Sequence, residues 1–528
     1  MIFTAMYFKA TVIFLGSFLV SLSNGRTCVP RQYEYDSVVC VCNSTYCDDI
    51  KDSEQDELKF GEFLHYTSSR SGQRMHVQYH YLMDLYQEYP GSGVHICCIN
   101  SSDLYQEIYG FGGAITDSVG INLKSLSNDA QEMLLRQYFG CDSIHYTFLR
   151  VPMAGTDFST RFYTYDDKEG DENLSHFNLA MEDYEYKIPY IRRAQKLSQD
   201  WRVKTLALPW SPPIWMTETV NSEKHYVRLK DKYYQTLANY FVKFLDAYRE
   251  EDVEFWAVSP QNEPGNGFDV YFKLKNFCGY SPEEQRKLIA KNLGPTLKNN
   301  GYEDVKIMSF EDQRNNLPNW TDIILEDEEA YKYTAGISVH WYFDNTTKSS
   351  RLQKTHEHYP DKFILYTEAS LMEPPQLGSW INCEKYAHDI IEDSNYWVVG
   401  FIDWNIVLNV AGGPTYVKNY LDSPIIVNCT ADEFYKQPVF YAIAHFSKFV
   451  TPGSIRIGMK VEIDAGIEHV AFLRPDGIIV IVILNRSDDD RDLQINIDRE
   501  GSTIVSISAH SIHTMLYRSI SGKKINPT

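Results

Sequence analysis

Basic side chains are in the minority. With 50 Lys and Arg against 71 Asp and Glu, the formal charge at pH 7 is −21. That balance argues against nucleic acid as a partner and against unassisted adhesion to anionic membranes. Beyond the first 25 residues no segment approaches the roughly 18 apolar residues that a membrane-spanning helix needs, and no short repeat or low-complexity tract occurs. No histidine lies among Cys28, Cys40, Cys42 and Cys47, the cluster that holds four of the ten cysteines. Zinc and disulfides are both readings of such a cluster; the missing imidazole and a secretory route favour disulfides.

The signs of that route are two. Lys9 precedes the apolar stretch from Ala10 to Leu22, and the small residues Ser21, Ser23 and Gly25 follow, so residues 1–25 read as a secretory signal peptide. Asn43, Asn100, Asn173, Asn319, Asn345, Asn428 and Asn485 each open an N-x-S/T sequon, an acceptor pattern for glycosylation. Cys97, Cys98, Cys141, Cys278, Cys383 and Cys429 have no pairing from spacing; buried thiols are the default, with further bridges an alternative. A strongly acidic protein gains protons and loses self-repulsion at low pH, which suits a lysosome, with export as the alternative.

The composition is that of a folded globular protein, 43% hydrophobic and 14% aromatic, with 38 Tyr and 9 Trp that could line a carbohydrate cleft or fill a core. At 528 residues the chain exceeds what one hydrophobic core usually organises. Short apolar strands alternate with amphipathic helices between about residues 108 and 410. The strand candidates are 110–117, 145–151, 205–211, 254–260, 306–310, 336–342, 363–369 and 398–405. Before the fourth, Leu237, Tyr240, Phe241, Phe244, Leu245 and Tyr248 recur at helical spacing and predict one buried stripe. Eight strand–helix units predict a (β/α)8 TIM barrel, whose functional groups gather at the carboxyl ends of its strands.

Outside that region the period changes to two. Segments such as HVAFLRPDGIIVIVILNRS predict a β-sandwich, completed by strands ahead of the barrel. The expected organisation is a signal peptide at 1–25, a separate small disulfide-stapled N-terminal β domain at 26–54, a β-sandwich from 55–100 and 450–528, and the barrel at 101–449.

Among so many acids most are solvated surface charges, but two stand where a barrel gathers its chemistry. In FWAVSPQNEPGNG, Glu263 follows the fourth strand, restrained by Pro264 and flanked by Asn262, whose amide can hold a hydroxyl. In FILYTEAS, Glu368 follows the seventh strand. Two carboxylates at one barrel mouth suggest general acid chemistry coupled to a nucleophile; in glycosidases that retain anomeric configuration such groups lie about 5–5.5 Å apart.

With both acids placed, the chain resembles the glucosylceramidases of glycoside hydrolase family 30. CVPRQYEYDSVVCVCNSTYC, GFGGAITDS, RVPMAGTDFSTRFYTY, NEPGNG, VHWYFD, TEAS, DWNIVLN, GGPTYVKNY and FYKQPVFYAIAHFSKF occur in the family's order from Cys28 to Phe449. The resemblance implies that Glu263 is the acid/base and Glu368 the nucleophile of a retaining β-glucosidase, working without metal or organic cofactor. It implies that Asp157, Trp210, Asn262, Tyr342, Trp404 and Asn419 line the glucose site. Arg150 and His340 would hold the surroundings of the nucleophile, and the bridges would run Cys28–Cys40 and Cys42–Cys47. Gln261 and Tyr416 depart from the family pattern, which often has Glu and Trp there.

By the same resemblance the substrate is glucosylceramide, reached with a saposin-type activator and an acidic phospholipid surface, and a membrane receptor handles lysosomal delivery. A relative acting on xylan, a fucoside or a β-1,6-glucan, and a non-catalytic carbohydrate- or lipid-binding protein, are the competing readings.

Overall fold

Eight parallel strands close on themselves at the centre of the chain: Gly110–Ala114, Phe148–Met153, Lys204–Pro209, Ala257–Val258, Lys306–Gln313, Thr334–His340, Phe363–Glu368 and Val398–Asn405. The computed structural model describes residues 25–51, 55, 58–82, 93–198, 203–221, 226–268, 278–461, 466–498 and 500–519. The predicted signal peptide therefore falls almost wholly outside the described residues. Among these, no helix is long and apolar enough to cross a membrane.

Side-chain alternation along the strands explains how one barrel is both packed and functional. Phe148, Leu206, Met308, Leu365 and Ile402 fill the inner cluster. Two residues further toward the carboxyl ends, on the same face, come Arg150 and Trp404. The barrel seam closes because the first strand is nearly side-chain-free: a Cβ at Gly112 would meet the Phe148 carbonyl oxygen at 2.1 Å, and one at Gly400 the Gly110 oxygen at 2.2 Å. Outside, the predicted helical stripe is realised in Tyr234–Glu250, where Leu237, Tyr240, Phe241, Phe244, Leu245 and Tyr248 are all buried.

The second core belongs to a nine-stranded sheet that forms the β-sandwich, ordered Gly501–Ile507, Arg491–Ile497, Val94–Glu107, Ile455–Val461, Ile467–Leu473, Ile478–Asn485, Ser511–Arg518, Glu62–Ser69 and His76–Tyr81. The strand Val94–Glu107 belongs to this sheet beyond the expected limit at residue 100, with Glu107 still opposite Ile455. Ile478–Asn485 is buried on both faces. Ile479, Ile481 and Ile483 enter the sandwich core, whereas Ile478, Val480, Val482 and Leu484 pack into the cluster shared with the barrel.

The cysteine-rich start is stapled by Cys28–Cys40 and Cys42–Cys47. It is not the separate piece expected from sequence. Its hairpin, Pro30–Gln32 with Val38–Asn43, is one edge of a five-stranded sheet completed by Glu433–Lys436, Ile425–Asn428 and Val407–Asn409. Arg31 fixes the join through a paired contact to Glu433 at 2.6 and 3.1 Å.

Two further expectations need correction. Cys97, Cys278 and Cys383 are buried thiols, but Cys141 and Cys429 are exposed. Asn485 is fully buried, and its side-chain amide donates to the carbonyls of Asp489 and Ser508 at 2.9 Å each, so the folded chain offers no room for a sugar there. By contrast Asn173, Asn319 and Asn345 are exposed.

Because Ile481 sits fully buried in the sandwich core, Ile481→Ala should cost about 2–5 kcal/mol from lost transfer energy plus the cavity left behind. Denaturant titration followed by tryptophan fluorescence checks this; a change below about 1 kcal/mol would mean that the second core is not closed.

Candidate active site

The carboxyl ends of the barrel strands deliver a charged cluster into an otherwise apolar centre. Arg150, on the second strand, is fully buried. Its guanidinium donates to Glu368 Oε2 at 2.5 Å, to Asn262 Oδ1 at 2.6 Å and to Glu311 Oε1 at 3.0 Å. One cation thus ties the end of the seventh strand, the segment after the fourth, and the fifth strand together.

His340 ends the sixth strand and is also fully buried. Its Nδ1 lies 3.2 Å from Glu263 Oε1 and its Nε2 3.2 Å from Glu311 Oε1. Burial alone would depress its pKa, but Glu368, Glu263 and Glu311 outweigh that and raise it to about 10. Glu311 is held to about 2: burial acts against its charge, and Arg150 and His340 overcome it.

Glu263 and Glu368 face each other, with the nearest oxygens, together with a ring nitrogen of His340, all within 4.8 Å. Glu263 has a left-handed backbone, φ 42°, which a non-glycine residue adopts only when its surroundings enforce it. Here Glu263 N–H donates to Glu311 O at 3.0 Å, Gln313 Nε2 donates to Glu263 Oε1 at 2.8 Å, and the Asn266 amide donates to Oε2. Glu368 is gripped by Arg150 on one oxygen and by the Tyr342 hydroxyl, at 2.7 Å, on the other. These three groups are also close enough to hold a cation, but a protonated His340 with both ring nitrogens on carboxylates has no lone pair to offer one.

Around the acids the structure arranges the remaining expected residues in two groups. Trp210 and Trp404 stack with centroids 5.0 Å apart, and the Arg150 guanidinium lies 5.0 and 5.1 Å from their rings. Asp157 and Asn419 form a clasp, Asn419 Nδ2 donating to Asp157 Oδ2 at 2.8 Å, while Thr415 Oγ1 donates to the Asp157 carbonyl at 2.7 Å. Burial raises Asp157 to about 7, helped by Glu368 and Glu263.

Gln261 does not face Glu263. Its amide donates to the Trp210 and Asn262 carbonyls at 2.7 and 3.0 Å, and the side chain is fully buried. Tyr416 is half-buried, its N–H on the Ser159 carbonyl at 3.0 Å. Sequence reasoning missed Glu311, Gln313 and Asn266. Glu311 carried the same signal as the other acids, a carboxylate closing a buried strand, but the fifth strand read as ending at Phe310 continues to Gln313.

A parallel barrel with two facing carboxylates at its carboxyl ends, one beside a cationic pair, is the architecture of a glycoside hydrolase. Residues 108–450 match the glycosyl hydrolase family 30 TIM-barrel domain, and residues 453–515 match the glycosyl hydrolase family 30 beta sandwich domain. The chain belongs to glycoside hydrolase family 30. It is 41% identical over 520 residues to the lysosomal acid glucosylceramidase of Mus musculus, covering 96% of this chain and 99% of that one. Among solved structures it is similar to SrfJ from Salmonella typhimurium, with 28% identity, a TM-score of 0.79 and coverage of 87% and 100%. An endo-β1,6-glucanase is 26% identical with a TM-score of 0.76 over the same shares.

Asp157, Asp403 and Asp422 are buried, and chiefly for that reason their carboxyls are raised to about 7, 8 and 7. Each keeps in the folded protein a proton that the unfolded chain releases near 3.8, so folding takes up protons and stability falls as pH rises toward 8. Buried His445 and His513 oppose this only below 6.5, where the unfolded imidazoles charge. The melting temperature should therefore rise as pH is lowered from 8 to 6.5. Scanning calorimetry in matched ionic strength checks the sign; a flat or falling profile over that interval would contradict it.

Proposed function

We propose that the protein is a retaining β-glucosidase that cleaves glucosylceramide to glucose and ceramide, with Glu263 as acid/base and Glu368 as nucleophile. The observation that carries the reading is the approach of the two carboxylates to within 4.8 Å. This is the short spacing suited to direct attack by one carboxylate, without room for an intervening water.

In the first step a protonated Glu263 donates to the departing glycosidic oxygen while Glu368 attacks the anomeric carbon from the opposite face. Arg150 and Tyr342 hold the two Glu368 oxygens, fixing the nucleophile so that no rotamer search precedes attack. Ester formation removes the Glu368 charge. Glu263, left as a carboxylate beside His340 once its proton has gone to the departing oxygen, then serves as the base for the water that releases the sugar. Asn262, oriented by Arg150, is positioned as a partner for the sugar's 2-hydroxyl; Trp210 and Trp404 offer apolar walls; Asp157 and Asn419 accept and donate at its rim.

The Asp157–Asn419 clasp joins the loop after the second strand to the loop after the eighth. The similarity to the mouse glucosylceramidase supports a terminal glucose on a ceramide aglycone. Buried carboxyls that prefer their protons support work in an acidic compartment, the lysosome.

Glu368→Gln should abolish turnover while leaving the melting temperature within a few degrees of the parent, and a cyclophellitol-type inactivator should label Glu368 in mass spectrometry; a label elsewhere would refute the nucleophile assignment. Glu263→Gln should slow substrates with poor leaving groups by about 10²–10⁴-fold and activated aryl glucosides far less, with azide restoring the latter. Equal losses across leaving groups would remove Glu263 from the acid/base role. Parallel hydrolysis of glucosylceramide, xylan and β-1,6-glucan tests the substrate.

A further inference from the structure

The helix after the first barrel strand, Asp117–Lys124, holds buried polar side chains that the reaction above does not use. Thr116 caps it, its hydroxyl accepting from Val119 N–H at 3.2 Å. The helix sits flush against its neighbour, since a Cβ at Gly120 would meet the Tyr186 carbonyl oxygen at 2.1 Å. Asp117, Ser118 and Asn122 are all buried, and each reaches one or both of the loops that carry Asp157 and Asn419.

On the Asp157 side, Asp117 Oδ2 accepts from Ser159 Oγ at 2.6 Å and from the Tyr163 hydroxyl at 3.0 Å. Ser159 Oγ in turn accepts from Thr156 N–H at 3.0 Å, and Thr156 Oγ1 accepts from Phe158 N–H at 2.9 Å. Ser118 N–H donates to the Phe158 carbonyl at 3.0 Å. Both residues flanking Asp157 are therefore fixed through their main chain. On the Asn419 side, Asn122 Nδ2 donates to the Gly413 carbonyl at 2.8 Å, and the Ser118 hydroxyl lies between the Phe158 carbonyl, at 2.7 Å, and the Pro414 carbonyl. Tyr416 N–H donates to the Ser159 carbonyl at 3.0 Å and joins the two loops again. Buried hydrogen bonds linked in series reinforce one another, and this series ends at the contact between Asp157 Oδ2 and Asn419 Nδ2. Lys187, 3.7 Å from Asp117, is held by Asp183 at 2.7 Å. What Asp117 supplies is chiefly an acceptor for the loop.

We propose that Asp117 and Ser159 are positioning residues for sugar recognition: through them the helix after the first strand fixes the Asp157 carboxyl where it meets a terminal glucose. The proposal rests on the reading of Asp157 and Asn419 as partners of that glucose. Asp117 and Ser159 are 2% and 1% exposed, so they act on the sugar only through the loop. A binding side chain works when it is held to within about 0.5 Å of its productive geometry, and a loop attains this when a rigid element and buried hydrogen bonds hold its backbone. Contacts that hold the sugar equally in the ground and transition states lower KM and leave kcat alone.

The test uses the full chain and a soluble aryl β-glucoside, so that no lipid surface enters. Asp117→Asn and Ser159→Ala should each raise KM about tenfold, the worth of one hydrogen bond to a charged group, while kcat stays within about twofold of the parent. In an Asp157→Ala background the same substitutions should change KM by less than about twofold, because the carboxyl they aim has gone. Should Asp117→Asn fail to fold, Ser159→Ala, which removes a single hydroxyl, carries the same expectation. Losses that add to that of Asp157→Ala, or folded variants with the parent's KM, would overturn the proposal and leave the network as packing alone. A parent-like KM in Asp157→Ala itself would refute the sugar-site reading, and the proposal with it.

Discussion

A guanidinium buried without water is tolerable only if its partners are fixed, and Arg150 is the side chain on which this site is assembled. Removing a charge of that kind from water costs several kcal/mol even after relaxation, and the cost is offset only by good geometry with opposite charges. Arg150 obtains that geometry from Glu368, Glu311 and Asn262 together. Those partners belong to the seventh and fifth strands and the segment after the fourth, so the cation couples the register of strands far apart in sequence. His340 extends the same network by bridging Glu311 and Glu263. Arg150 and His340 together face three carboxyls, Glu311, Glu368 and Glu263.

Much of this was legible because a buried strand that ends in a carboxylate is a costly pattern. Glu263 and Glu368 declare themselves that way. Glu311 broke the same rule unnoticed for a local reason: Phe310 and Glu311 have φ of 79° and 62°, and the pairing register shifts between Phe310 and Asp312. A bulge inserts a residue that simple alternation cannot count. Contacts made by folding alone were not legible at all. The Asp157–Asn419 clasp spans 262 residues and the Arg31–Glu433 pair spans 402, and nothing local in either segment specifies the other. The misreading of Asn485 has a different origin: a sequon is a local pattern, whereas burial on both faces of Ile478–Asn485 is imposed by the barrel packed against the sandwich.

The abundance of tyrosine, ambiguous in composition, has a definite physical use. Tyr342 donates to Glu368 at 2.7 Å, Tyr386 to Asp403, Tyr366 to Asp344 and Tyr441 to Asp48, each at 2.6 Å, and both Tyr165 and Tyr248 to Asp183 at 2.6 Å. Burial, reinforced by the neighbouring carboxylates, holds the pKa of these phenols well above 10, so they act as donors throughout the relevant pH range. A phenol satisfies an acid without bringing a second charge that must itself be solvated, and its ring contributes apolar area to the same core. Arginine would bind the acid more strongly, but its own desolvation would have to be met in turn. Arg150 and Arg314 each serve several acids at once. Phenols and cations also work together on one acid: Lys187 reaches Asp183 at 2.7 Å beside Tyr165 and Tyr248, and Lys436 reaches Asp48 at 2.9 Å beside Tyr441.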